Sequence, residues 1–441
     1  MTAPSTAPAA LRRRLGLPGV VLFGLAYMAP LIVLGTFGIV ATTTAGTVPS
    51  AYLLALVAML FTAASYGKMA AAHPVAGSAY TYVRKAIDAR AGFLVGWAVL
   101  LDYFFLPMVI WLIGGAYLSA EFPGVPGWVW LIAFIVLTTL LNVLGIKVAE
   151  KANFVLMAFQ LLVIGFFVAL SIRHVLHSGE ALASTQPFFH AGSTLGTISG
   201  GAALATYSFL GFDAVTTLTE ETTEPQRTIP RAILLTALIG GGIFVALAYF
   251  TQLAHPGSAF ADESSAAFEI ATTIGGDLFA SVFLAGLVVA QFASGIAAQA
   301  SASRLMFAMG RDGVLPRVFG KLHPRFATPA FGILLTGAVG LAALALDVST
   351  STSFINFGAF TAFTFVNLSV LATWLRDRSG KRTLSWLVFP VIGAAVDLWL
   401  LVNLDGIALV FGLAWLGIGI VVLAAITRGF RRPPPEMTFE E

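Results

Sequence analysis

Gly24-Leu-Ala-Tyr-Met-Ala-Pro30-Leu31, set in an apolar run from 17 to 44, and Tyr207-Ser-Phe-Leu-Gly211-Phe-Asp213, set in another from 195 to 219, decide the fold. Pro30 has no amide hydrogen to donate and its ring clashes with the carbonyl four residues back, so a helix through the first run breaks near mid-depth. Gly211 and Asp213 interrupt the second run in a similar place. One such interruption, taken alone, is an ordinary proline kink or a packing glycine. Two of them, in the first members of successive five-helix blocks, predict paired broken helices. Irregular backbone at that depth is tolerated only where protein buries it or a watery cavity meets it, and in secondary transporters such breaks face the substrate.

The rest of the chain supplies the setting. It is 441 residues long, 58% hydrophobic and 10% charged, against about 45–50% and about 25% for a soluble domain. A spanning helix needs roughly 20 apolar residues to cross about 30 Å of hydrocarbon. Twelve runs qualify, near 17–44, 48–70, 91–119, 127–146, 152–176, 195–219, 231–254, 277–301, 329–347, 352–375, 384–403 and 405–427. The fold class is an all-α polytopic membrane protein. With no cysteine, disulfide frameworks and thiolate chemistry are excluded.

Of the 24 Lys and Arg, all but Arg173 fall on one side of this threading, whereas the opposite loops carry Glu121, Glu180, Asp262 and Glu263. Arg12, Arg13 and Arg14 precede the first run, Arg84, Lys85 and Arg90 the third, and Arg428, Arg431 and Arg432 follow the last. By the positive-inside rule both termini are cytoplasmic in a bacterial-type inner membrane. The run from Leu15 is too long for a signal peptide and is expected to be retained. The expected organisation is a cytoplasmic tail (1–16), a first five-helix unit (17–176), a second (195–375), two further helices (384–427) and a cytoplasmic tail (428–441), with no appended soluble domain.

Several formal motifs have plain explanations. Asn367-Leu-Ser369 fits a glycosylation sequon but lies inside a span. Gly92 with Gly96, and Gly240 to Gly242, suit close helix packing. The six histidines show no ligand spacing, and no phosphate loop, HExxH or GxSxG occurs. No enzyme, metal site, cofactor or nucleic-acid partner is expected.

Six strings carry a resemblance: GLAYMAP (24–30), YGKMAAAHPVAGSAYTYV (66–83), GWAVLLDYFFLP (96–107), NVLGIKVAEKAN (142–153), YSFLGFDAVTTLTEETTEPQRTIPRAI (207–233) and SASRLMFAMGRDGVLPRVFGKLHPRFATP (301–329). Across nearly the whole chain they resemble the bacterial amino acid-polyamine-organocation permeases, most closely the putrescine importer-like group. The resemblance implies a LeuT-like core of two inverted five-helix repeats plus two C-terminal helices, with substrate held between helices 1, 3, 6 and 8. Two departures stand out. Amino-acid carriers of the family usually break helix 1 with a GxG whose amides hold the substrate carboxylate, whereas this chain has Ala29-Pro30-Leu31. Several members also carry a lysine in helix 5, where this chain has Gln160, which argues against a lysine-based proton mechanism.

The residues themselves narrow the substrate. An ionised Asp at the centre of a span costs about 2.5–3.5 kcal/mol and faces a pathway or a partner. Asp102 is such a residue, followed by Tyr103, with no Lys or Arg at mid-depth to neutralise it. Rings beside a carboxylate suit an alkylammonium, and the carbonyl end of the first half of helix 1 favours positive charge. The expected substrate site is Tyr27, Met28, Ala29 and Pro30, with Asp102 and Tyr103, and with Tyr207, Phe209 and Gly211 across the cleft. The resemblance puts Asp213 where relatives carry an acidic residue tied to proton sensing or gating; it could instead bind the far ammonium of a diamine, or cap broken backbone. Glu220, Glu221 and Arg227 resemble the family's inner gate, with a solvated polar loop as the plainer alternative. Ser294 could belong to a sodium site, although lone serines in helix interfaces more often bond backbone, and Asp397, outside the expected core, reads as structural. The function expected is import of putrescine or a related small cationic amine by alternating access, coupled to a proton more readily than to sodium, with an amino-acid permease or exchanger as the alternative. A channel and a membrane enzyme lack supporting motifs.

Overall fold

The computed structural model describes residues 15–74, 78–145, 150–219, 221–311, 313–376 and 384–435. Glu220, Arg12 to Arg14 and most of the charged loop after Arg376 therefore lie outside the described residues. Backbone groups in hydrocarbon must be bonded within their own segment, and the apolar runs are accordingly helical. In chain order the helices are α1 (Leu17–Met28), α2 (Ile32–Gly35), α3 (Phe37–Thr43), α4 (Val48–Ala72), α5 (Ser78–Ala86), α6 (Ala89–Glu121), α7 (Gly127–Val143), α8 (Glu150–His177), α9 (Leu195–Ala205), α10 (Pro225–Ala254), α11 (Ala266–Arg311), α12 (Ala330–Gly340), α13 (Val348–Leu375), α14 (Ser385–Val402) and α15 (Gly406–Ile426).

Among the described residues nine helical stretches are long and apolar enough to cross a membrane, and Gly127–Val143 and Ala330–Leu344 are shorter apolar helices. The difference from twelve has a physical cause. The run from 195 contains only eleven residues of α-helix before it tightens into a 3-10 turn at Thr206–Phe209, and the two shorter helices stop before 18 residues. An additional amphipathic helix, α5, which the sequence reading did not anticipate, lies between α4 and α6; Tyr80, Tyr82 and Val83 face inward and Arg84 and Lys85 end it.

The first run breaks where Pro30 predicts. Helix α1 ends at Met28, Ala29 takes a left-handed φ of 44°, and helix resumes at Ile32. The sixth run breaks too: Gly211 has φ 116° and a second 3-10 turn covers Ala214–Leu218. Distant polar side chains engage carbonyls near both ruptures. Tyr117 on α6 donates its hydroxyl to the Leu34 carbonyl at 2.6 Å. Asn356 on α13 donates to the Ala203 carbonyl at 2.7 Å, and the Tyr52 and Ser208 hydroxyls meet at 3.0 Å.

Helix α6 is the central post, packed by α13, α11, α5 and α15. Trp97 and Trp415 stack at 5.1 Å between ring centroids, and each indole donates to the other's carbonyl, at 2.9 and 2.8 Å. Glycines set the close approaches. Gly24 lies against Thr236 and Val215, Gly240 against Met28, and Gly358 of α13 against the Ala98 carbonyl of α6. Gly38 of α3 touches the Glu263 carbonyl and Ala266 at the start of α11 so closely that a β-carbon would overlap both.

Gly38→Ala is therefore expected to lower stability by about 1–3 kcal/mol through overpacking, read as a lower melting temperature of the purified protein. Gly242→Ala, where nothing lies within 4 Å of an added β-carbon, serves as the control and should not lower it.

Candidate functional site

The two halves of the broken first run have opposite surroundings. Beyond the break, Val33, Leu34, Phe37 and Val40 are 0% exposed, covered by α4, α9 and the segment around Phe260, whose ring meets Phe37 edge-on at 6.3 Å. Before the break, α1 packs on α10 and on the 3-10 turn Ala214–Leu218, yet Leu22 is 59%, Phe23 38% and Tyr27 43% exposed. These three recur at helical spacing and define one face. The same pattern occurs opposite. On α6, Val99, Asp102, Tyr103 and Leu106 are half-buried while Leu100 and Leu101 between them are sealed. In the turn after the sixth-run break, Asp213, Ala214 and Leu218 are half-buried and Thr217 is exposed, whereas Val215 and Thr216 are buried.

These partly open stripes meet. The charge of Asp102 bears on Tyr27, Tyr103 and Tyr207, and that of Asp213 bears on Asp102, Tyr27 and Tyr103. The Tyr27 ring lies directly against Gly211, where no β-carbon would fit. Because Tyr27 sits among these interior groups, its exposure is to a cleft within the bundle and not to the outer surface. Near the start of α1, Leu15 and Thr222 pair as a short parallel bridge.

Asp102 reaches this cleft with its Oδ1 buried and without a hydrogen-bond partner among the described residues. The α1 break contributes few free donors. The Ala29 amide is engaged with the Ala26 carbonyl at 3.3 Å, the Ile32 amide with the Ala29 carbonyl at 2.9 Å, and Pro30 has none. An unpartnered carboxylate, three tyrosines and the carbonyl end of α1 form a surface that attracts a cation, with hydroxyls to accept N–H groups and rings to cover methylenes.

Other expected residues take different positions. Met28 is buried against Gly240, and Tyr207 is 5% exposed beside the cleft. Phe209 is 0% exposed and meets Phe244 edge-on at 5.1 Å, so it props the sixth-run break from behind. Glu221 contributes its carbonyl to the Leu15 amide at 3.0 Å. Arg227 is exposed and pairs locally with Glu224 at 3.7 Å, a solvated i,i+3 contact. Gln160 is buried on α8 with its Oε1 unpartnered among the described residues. Ser294 is half-buried on α11. Among the described residues no group of three or more His, Asp or Glu could hold a metal ion. Tyr117, Tyr52 and Asn356, which secure the breaks, were missed from sequence; the signal available was a polar side chain inside an apolar run.

Comparison with known proteins follows this geometry. The amino acid permease family pattern matches residues 19–422. The low-affinity putrescine importer PlaP of Escherichia coli K12 is 43% identical over 98% of both chains. The branched-chain amino acid permease BcaP of Bacillus subtilis is 26% identical over 97% of this chain and 96% of its own. A methylthioribose transporter of the same organism is 27% identical over 89% and 88%.

Because the chain has no native cysteine, the cleft is open to a direct test. Single cysteines at Leu22, Tyr27 and Thr217 should react with a membrane-impermeant maleimide in the purified protein, and cysteines at Val33, Phe37 and Val40 should not. Equal labelling of the two sets would refute the one-sided opening.

Proposed function

The chain belongs to the amino acid permease family, and from that premise we propose that it imports putrescine or a closely related small cationic amine by alternating access, driven by protons. The family makes it a multi-pass membrane transporter and not an enzyme. The observation that carries the substrate reading is Asp102, buried at Oδ1 without a partner and ringed by Tyr27, Tyr103 and Tyr207. The whole-length likeness to a putrescine importer supports the same choice.

In this reading the architecture is LeuT-like. The twelve expected runs cross the membrane, 17–176 and 195–375 are inverted repeats, 384–427 adds two helices, and both termini are cytoplasmic. The cleft beside α1 is then the inward vestibule, and the closed packing of α2 and α3 is the outer gate in its shut state. One ammonium group pairs with Asp102. The tyrosines clasp the methylenes, and Asp213 either takes the second ammonium or exchanges the coupled proton. Glu221 and Arg227 act at the inner mouth, the first through its backbone contact with Leu15.

An amino-acid permease is the second reading, supported by the likeness to the branched-chain permease. The missing amide at Pro30 and the engaged amide of Ala29 weigh against it, since a substrate carboxylate needs free N–H groups there.

Asp102→Asn should retain the folded protein and lose saturable putrescine uptake in liposomes, with apparent affinity falling about 10–100-fold for a lost charged contact of about 1.5–3 kcal/mol. Labelled putrescine, spermidine, agmatine and neutral amino acids, offered under imposed proton or sodium gradients, read substrate and coupling together. If neutral amino acids are carried equally well by the variant and putrescine never competes, the amine assignment is wrong.

A further inference from the structure

One carboxylate is buried far from this cleft. Asp397 on α14 is 0% exposed. Thr62 of α4 donates to its Oδ2 at 2.9 Å and Asn367 of α13 donates to the same oxygen at 3.0 Å. Asn367 Nδ2 also lies 3.1 Å from Thr62 Oγ1 and 3.2 Å from the Phe363 carbonyl. The other oxygens of the pair, Asp397 Oδ1 and Asn367 Oδ1, are buried without a partner among the described residues. Gly393 is pressed against the Asn367 amide, 2.7 Å from Oδ1 for an added β-carbon, so three helices close tightly on this group.

An ionised carboxylate here would leave one oxygen bare in hydrocarbon, which costs several kcal/mol. The elements packed against it bring no compensating charge. Helices α13 and α9 contain no titratable side chain. Helix α4 carries Tyr52, Tyr66 and Lys68; Tyr66 packs on Tyr82, Phe212 and Phe363. Lys68 lies six residues beyond Thr62, roughly 9 Å along the helix, where it donates to the Ser385 carbonyl and stands over the Trp386 and Phe389 rings. Two bare oxygens and a hydroxyl are also too few for a hard cation, which takes about six ligands. A proton on Oδ1 needs none of these.

We propose that Asp397 is a proton-binding site separate from the substrate cleft, and that the broken sixth run senses its occupancy through α13. Asn356, Phe363 and Asn367 are spaced by seven and four residues and so share one face of α13. Asn367 holds Asp397, Phe363 packs on Phe212 in the break at 5.4 Å between centroids, and Asn356 holds the Ala203 carbonyl at the end of α9. Loss of the proton leaves a charge that must recruit new donors, and only separation of α4, α13 and α14 can admit them. That movement pulls on the break.

This inference rests on the proton-driven import proposed above, and its test separates the two. The full-length protein in liposomes is assayed for putrescine counterflow without a gradient, for putrescine accumulation under an inward proton gradient, and for proton entry with an internal pH dye. For Asp397→Asn, counterflow should stay within about twofold of the unmodified protein, while accumulation and proton entry fall about tenfold, equivalent to about 1.4 kcal/mol of lost coupling. Asp397→Glu, which keeps an acid, should retain coupling with a displaced pH profile, and it stands in should the asparagine variant fail to fold. Unchanged accumulation in Asp397→Asn, or an unmoved profile in Asp397→Glu, overturns the proton site. Uptake by the unmodified protein that ignores the proton gradient overturns the coupling premise itself, and the site with it.

Discussion

Backbone amides and carbonyls released at mid-depth in a bilayer have no water to turn to, and the architecture of this protein is arranged around that constraint. Two helices are broken, at Ala29-Pro30 and at Leu210-Gly211. Each freed end is either engaged locally or met by a polar side chain from a helix that is itself unbroken. Tyr117 and Asn356 reach in from α6 and α13, helices of 33 and 28 residues, to carbonyls near the two breaks. The breaks are thus fixed points, and the groups they present to the cleft are set by what the long helices leave unbonded.

That division of labour explains the lopsided packing. The half of the first run beyond the break is buried against the segment leading into α11, with Gly38 giving the closest approach. Among the described residues the half before the break packs chiefly on α10 and the turn after the sixth-run break. Leu15 pairs with both Glu221 and Thr223 through the backbone, so the start of α1 and the chain beyond that turn are tied together. If the half before the break moves, those two segments move as one body, while the half beyond it stays with its own neighbours. A helix broken in the middle permits such independent motion; a continuous one would transmit it from end to end.

Much of this was legible because hydrocarbon allows so few backbone solutions. Once an apolar run exceeds the membrane thickness it must be helix, and a proline or glycine inside it must disturb that helix. The breaks at Pro30 and Gly211 were legible on those grounds. What could not be read was rotation about each helix axis. These helices are apolar all round, so the sequence does not mark which face turns inward. Phe209 was expected beside the substrate and instead backs the break against Phe244. The clamps by Tyr117 and Asn356 join residues more than eighty positions from their partners, a pairing no local period encodes. Helix α5 escaped notice for the opposite reason, being too short and too polar to register as a span.

The charge of the cleft bears on what it can hold. In the proposed reading Asp102 and Asp213 both face the guest, and like charges in surroundings of low dielectric repel one another. A single monovalent guest offers a positive charge to one of them only, and the repulsion is not fully relieved. Two arrangements remove it: a guest with a positive charge at each end, or a singly charged guest accompanied by a proton on the second carboxylate. A diamine meets the first condition with methylenes of the right character for the tyrosine rings between. A zwitterion meets neither, because its own carboxylate adds a third negative group to a break with few free amides. On the proposed reading, the same pair of acids would favour a dication and disfavour an amino acid, by repulsion as much as by attraction.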